Sequence, residues 1–264
     1  MPTDDTPTLN IALLIDADNA SWHALDPVLT VLAELGTVNI RRVYGNWSKP
    51  GLKGWRDMSV RHGIEPQQQF DLTKGKNATD MKMTIDAMDL LFRGRVQGFG
   101  IMSSDSDFMP LATRIRQDGL PVYGFGTAKT PQGFRQACSR FIDVAALEQA
   151  NGSDAAPAPA TEPTVDAPLS DTLPPAIGAR TPAPRKTKPP VDQELLKLLI
   201  DAYDASKRDE KGYVSLSAMG QLAANRSSFD VRNYGFKRLS DLVESVPNFQ
   251  IERRDGRALV KRLR

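Results

Sequence analysis

The stretch LNIALLI (9–15) constrains the fold more than any other. A strand with one face in water alternates apolar and polar side chains. A nearly continuous apolar run fits a strand covered on both faces, as in parallel sheets packed between helices. The following segments keep that rhythm. DPVLTVLAELG (26–36) has helical periodicity and stops at Gly36, VNIRRVYG (38–45) is a second strand, and GLKGWRDMSVRHG (51–63) is a helix. IEPQQQ (64–69) is a weak strand, ATDMKMTIDAMDLLFRG (78–94) a long helix and GFGIMSS (98–104) a further strand. The helix FMPLATRIRQDG (108–119), the strand LPVYGFG (120–126), a helix near 131–138 and a short strand at RFIDV complete the series. Strand–helix alternation predicts an α/β domain: a parallel sheet with helices on both faces.

A Pro- and Ala-rich stretch, residues 151–190, cannot bury enough apolar surface to offset its chain entropy, and predicts an extended linker. It divides the 264 residues into a domain at 1–150 and another at 191–264, expected to tumble semi-independently. No apolar run reaches membrane-spanning length, and the acidic, polar start MPTDDTPTLN lacks the pattern of a signal peptide. A cytoplasmic location without membrane contact is expected. One cysteine, Cys138, excludes an internal disulfide; with only His23 and His62 beside it, a zinc site of N and S ligands is excluded too. Any metal would be held mainly by carboxylates. The net charge of +2 is uneven: residues 1–150 carry 16 Lys/Arg against 17 Asp/Glu, whereas from Arg226 onward the count is 10 against 5. That excess points to an anionic partner for the C-terminal end.

In open parallel sheets, sites form at the carboxyl ends of strands. Asp16 and Asp18 follow the first strand, Asp105 and Asp107 follow the fourth, and Asp80 opens the long helix that also carries Asp86. Clustered carboxylates repel one another unless a cation lies between them, and hard oxygen ligands suit Mg²⁺ or Mn²⁺. Each acid also has a structural explanation. Asp80 favours a helix N-terminus capped by Asn77, Ser106 or Asp107 caps the next helix, and Asp86 fits a buried hydrogen-bonding residue. Trp47 and Trp55 fit base stacking or the packed edge of the sheet; Met81, Met83 and Met88 fit the core, as does Cys138. Lys74 and Lys76, in KGKNATD, fit a phosphate-holding loop or a solvated one.

Together, LLIDADNA, KGKNATDMKMTIDAMDLL and IMSSDSDFMPL resemble, in that order, the NYN domain, a branch of the PIN-like nucleases, over residues 9–146. The resemblance implies a PIN-like parallel sheet with an acidic pocket for divalent metal, and several members of that family cut RNA. It implies Asp16, Asp80, Asp105 and Asp107 as ligands of Mg²⁺ or Mn²⁺, Asn19, Ser103 and Ser104 as residues positioning water or metal, and Asp86 as support behind the pocket. It further implies hydrolysis that leaves a 5′-phosphate. A haloacid-dehalogenase phosphatase is excluded by Ala20 in its motif, and a response-regulator receiver by EPQQQF where the third strand should end in a phospho-acceptor.

The C-terminal part, around SFDVRNYGFKRLSDLVE, resembles the LOTUS (OST-type) winged helix over residues 192–263. Helices at 192–205, 217–224 and 236–245 would pack together, and FQIERRDGRALVKR reads as a hairpin with Asp255-Gly256 as a type I′ turn. Arg253, Arg254 and Arg257 at its tip, with Lys237 and Arg238 on the last helix, would approach an RNA backbone. A charged, solvated hairpin is the alternative, and some such modules bind proteins. The expectation is a metal-dependent ribonuclease with a tethered RNA-binding domain; its rival is a catalytically silent RNA-binding or scaffold protein on the same fold.

Overall fold

The computed structural model of the chain describes residues 9–70, 77–151, 193–254 and 256–263. The expected linker and the loop with Lys74 and Lys76 lie outside them. The N-terminal part alternates β1 (Leu9–Asp16), α1 (Leu25–Leu35), β2 (Gly36–Gly45), α2 (Lys53–His62), β3 (Glu65–Gln68), α3 (Ala78–Phe92), β4 (Gly98–Met102), α4 (Met109–Gln117), β5 (Val122–Gly126), α5 (Gln132–Ala137), β6 (Arg140–Asp143) and α6 (Val144–Asn151). The six strands form one parallel sheet in the order β3-β2-β1-β4-β5-β6. The chain winds outward from β1 to one side, then restarts at β4 on the other, so β1 and β4 flank the point where the winding reverses.

The side-chain alternation of β1 builds both cores. Ile11, Leu13 and Ile15 face α1 and α2 with Leu25, Val28, Leu32 and Trp55; Ala12 and Leu14 face α3, α4 and α5 with Met83, Ala87, Leu111, Ile115 and Phe134. Every side chain from Ile11 to Asp16 is buried, which explains the unbroken apolar run. Trp55 belongs to this core and Trp47 packs against it, so neither is presented as a base-stacking platform. Met83 is buried, but Met81 is 65% exposed on the outer side of α3. Cys138 is packed inside, and burial pushes its thiol up to about 12. The additional helix α6 packs against α1.

The C-terminal part consists of α7 (Gln193–Asp204), β7 (Val214–Ser215), α8 (Leu216–Arg226), α9 (Leu239–Glu244), β8 (Phe249–Arg254) and β9 (Arg257–Arg262), with an antiparallel sheet ordered β7-β9-β8. Leu195, Leu199, Met219, Leu242, Phe249 and Val260 share its core. The α9 helix is shorter than the expected 236–245. Gly235 takes a left-handed conformation (φ 77°), and Arg238 is an extended N-cap, so Lys237 and Arg238 precede the helix. Two residues join β8 to β9; Gly256 has φ 75°, and Asp255 lies outside the described residues.

The two parts are docked. As an edge strand, β6 presents backbone groups with no strand beyond them. The C-terminal part satisfies several: the Phe141 N–H donates to the Ser228 carbonyl (3.1 Å), the Asn233 side-chain amide donates to the Phe141 carbonyl (2.7 Å), and the Asp143 N–H donates to Asn233 Oδ1 (2.8 Å). Arg232 reaches across to Glu34 on α1. This arrangement differs from the semi-independent tumbling expected of the linker composition, and its cause is the edge strand's need for partners. Asn233→Ala removes two of those hydrogen bonds, each left-over buried polar group costing about 1–3 kcal/mol. NMR relaxation should show a single rotational correlation time for wild-type protein and two after Asn233→Ala. Two correlation times in wild-type protein would contradict the docking.

Candidate metal centre

The acids meet at the carboxyl end of the sheet, where β1 and β4 run side by side. Asp16 ends β1 and is fully buried. Its Oδ1 accepts from the N–H groups of Asp18 (3.2 Å) and Asn19 (3.3 Å), and its Oδ2 accepts from Asn19 Nδ2 (2.9 Å) and the Ser103 hydroxyl (2.7 Å). Burial raises the Asp16 pKa, and these four hydrogen bonds oppose that rise. Ser103 is the hinge between the two strand ends: buried itself, it donates to Asp16 and accepts from the Asp105 N–H (3.0 Å).

Beyond Ser103 the chain makes a tight turn. Asp105 is the N-cap of the short helix Ser106–Phe108, its Oδ1 accepting from the Asp107 N–H (2.9 Å). The helix that contains Pro110, α4, begins after Phe108 with no side-chain cap, so neither Ser106 nor Asp107 caps it. Asp80 enters from the first turn of α3. The carboxylates of Asp80, Asp105 and Asp107 each offer an oxygen within 4.8 Å of the others. Burial, then the charges of Asp16, Asp105, Asp107 and Asp18, push Asp80 up to about 6. Two oxygens across one Mg²⁺ are separated by about 4.2 Å at most. Three hard oxygen donors within 4.8 Å of one another, with charges that repel, fit a divalent cation in donor chemistry and in charge.

The other expected site residues divide. Asn19 stays in the site through both its amides on Asp16. Asp16 is not one of the three clustered carboxylates, and its oxygens accept from four donors, but its charge acts on Asp80. Ser104 turns away to the loop after β5, its hydroxyl accepting from the Thr127 N–H (3.1 Å). Asp86 is not part of the cluster. Six residues along a helix are about 9 Å of rise and 240° of net rotation, which carries Asp86 to another face. There it accepts from the Tyr44 hydroxyl (3.1 Å) and pairs with Lys82 and Arg42. Two contacts were missed in the sequence: Asn77 donates to Asp107 instead of capping α3, and Lys49 pairs with Asp18 (3.1 Å).

On the C-terminal part, Arg253 and Arg257 are exposed near the hairpin tip, and Lys237 and Arg238 are exposed before α9. Arg254 is engaged elsewhere: it pairs with Glu252 and Asp209 and stacks over Tyr213. Its hydrogen bonds, followed by one from Tyr213, hold Glu252 down at about 2. Arg254 is thus a structural cation of the sheet, not an open phosphate contact.

The raised pKa of Asp80 has a thermodynamic consequence. The folded protein holds this proton more tightly than the unfolded chain, whose value is 3.8, so the stabilising contribution is full below pH 3.8 and lost as pH rises through about 6. Urea melts in EDTA should show Asp80→Asn gaining on wild-type protein between pH 4 and pH 7.5 by on the order of 1 kcal/mol, solvent screening of the half-buried group included. A stability difference independent of pH would contradict the repulsion.

A family model of the NYN domain matches residues 10–148, and one of the OST-HTH/LOTUS domain matches residues 186–260. An uncharacterized protein of Methanocaldococcus jannaschii is 29% identical over 138 residues, a stretch that covers 50% of this chain and 52% of that protein. The chain therefore spans about half the length of this curated relative. A crystal structure of a protein of unknown function from Vibrio parahaemolyticus aligns with a TM-score of 0.44 at 19% identity, covering 54% of this chain and 96% of that one. Among the described residues, no helix is long and apolar enough to cross a membrane. With an NYN match over more than half its length and a LOTUS match after it, this chain belongs to the NYN domain family, within the PIN-like nuclease superfamily.

Proposed function

We propose that the protein is a divalent-metal-dependent ribonuclease acting in the cytoplasm, with the LOTUS domain adding RNA contacts. The observation that carries this reading is the convergence of Asp80, Asp105 and Asp107 at the winding reversal of the sheet, under repulsion that a cation relieves. NYN and LOTUS domains are both RNA-associated, which favours RNA as the substrate.

Asp80, Asp105 and Asp107 would hold Mg²⁺ or Mn²⁺, which when bound supplies positive charge at the phosphoryl group and eases deprotonation of water. The chain's own residues prepare that place. Ser103 fixes Asp16 and the Asp105 backbone with one hydroxyl, so the carboxyl ends of β1 and β4 cannot drift apart. Asn19 holds the buried Asp16 carboxylate, whose charge deepens the negative potential on Asp80. Asn77 restrains Asp107 from the start of α3. In the proposed hydrolysis, water adds to phosphorus, the bond to the 3′ oxygen breaks, and a 5′-phosphate and a 3′-hydroxyl remain. The polarity follows the PIN-like resemblance. Arg253, Arg257, Lys237 and Arg238 are the proposed backbone contacts of the C-terminal domain.

Incubation with end-labelled RNA and DNA should give RNA cleavage with Mn²⁺ or Mg²⁺ and none with EDTA. Asp105→Asn should lower the rate on the order of 100-fold or more. Ser103→Ala, which leaves the three carboxylates intact but unanchored, should lower it by roughly 10–100-fold. Full activity of Asp105→Asn, or activity in EDTA, would overturn the metal-dependent reading. Tight RNA binding without cleavage under any metal would make the chain a silent RNA-binding protein.

A further inference from the structure

A cavity of about 880 Å³ lies between the two domains, away from the acids. It is bounded on one side by the amino ends of β5 and β6 and the end of α4, and on the other by α8 and the segment that leads to α9. Its charge is one-sided. Arg116, Arg140, Arg226, Arg232 and Lys237 line it against a single acid, Asp230, which is buried and already paired with Arg232. Arg116 spends its guanidinium on the carbonyls of Gln136 and Ala137, and neither it nor Arg140 has an acidic partner among the described residues. Arg226 meets Asp201 only at 3.8 Å. The rest of the lining includes hydroxyl and amide side chains such as Ser139, Ser217, Gln221 and Asn225, which can donate to phosphate oxygens.

We infer that this cleft is a second binding site, which takes the phosphodiester backbone of an RNA strand and exists only while the LOTUS domain is docked on β6. Neither domain supplies the walls alone: Arg116 and Arg140 come from the NYN domain, Arg226, Arg232 and Lys237 from the other. The inference rests on the proposed nucleic-acid function for the identity of the polyanion; the cleft itself rests on geometry and charge. Its position adds a length rule. The cleft opens at the amino ends of β5 and β6, whereas the acids lie at the carboxyl ends. Five residues of β5 extend about 16 Å. At about 3.4 Å per stacked nucleotide, an RNA must have at least about five nucleotides to reach both places. The cleft therefore favours longer strands and holds them while the acids act on a remote phosphate.

The test is a salt titration of RNA binding by the full chain in EDTA, where no cleavage interferes, with a 20-nucleotide single strand as the probe. Each lost phosphate contact lowers the slope of log K against log salt by about 0.7 for single strands, or about 5-fold in affinity at 0.1 M salt. Arg116→Gln with Arg140→Gln should weaken binding about 25-fold and flatten the slope by about 1.4. Arg140→Gln alone, which removes a side chain that makes no hydrogen bond among the described residues, should give about half that slope change, and Arg140→Lys should restore it. Unchanged affinity and slope in Arg140→Gln and in the double variant would overturn the inference, as would saturation of the cleft by tripolyphosphate without effect on RNA binding. Cleavage separates this inference from the nuclease reading. With Mn²⁺, the double variant should raise KM for the 20-nucleotide RNA and not for a four-nucleotide one. RNA binding with the expected slopes but no cleavage would leave the cleft standing and remove the nuclease; cleavage with unchanged slopes would do the reverse.

Discussion

The hydrogen bond from the Ser103 hydroxyl to the buried Asp16 carboxylate joins the ends of the two strands on which the site depends. A carboxylate with no exposed surface is costly unless its lone pairs are satisfied. Here four donors satisfy them, and all come from the two segments that follow β1 and β4. The buried charge is thus paired with local geometry: Asn19 must stay folded over the end of β1, and Ser103 must stay beside it. Ser103 then positions Asp105, and Asp105 positions Asp107. The half-buried Asp80 completes the set; burial, and then the charges of its neighbours, raise its pKa. Gathering these charges costs stability, and in the proposed reading a dication offsets that cost.

The docking of the C-terminal domain has an equally simple physical source. An edge strand exposes unpaired backbone groups, and Ser228 and Asn233 supply partners for those of β6 without extending the sheet. The contact covers the edge and closes a basic cleft in the same step. The clustered acids and the clustered cations therefore sit at opposite ends of the strands, which in the proposed reading separates the place that would hold a polyanion from the place that would hold a dication.

Much of this was legible in the sequence, for reasons that differ by element. The apolar run of β1 predicts burial on both faces because side-chain direction in a strand has period two, and the strand-end rule then locates Asp16, Asp105 and Asp107. Asp86 fits the alternative reading of a buried hydrogen-bonding residue: six residues of separation on α3 turn it to another face, where it meets Tyr44, a fact of helical geometry that motif similarity does not weigh. Arg254 could have been recognised as paired, since Glu252 lies two residues earlier on the same face of β8. The length of α9 was overestimated because the left-handed Gly235 and the extended Arg238 end the preceding turn before the helix begins. The docking through Asn233 leaves no local trace, because it depends on where two distant surfaces meet. The interdomain cleft was invisible for the same reason: its arginines are scattered from 116 to 232 along the chain.

The central claim is that Asp80, Asp105 and Asp107 together hold a dication. Anomalous diffraction from crystals grown with Mn²⁺ tests it most directly. A manganese peak bounded by these three carboxylates is the predicted result. A fully occupied Mn²⁺ elsewhere in the molecule, or an empty position between the three carboxylates at saturating Mn²⁺, would contradict it.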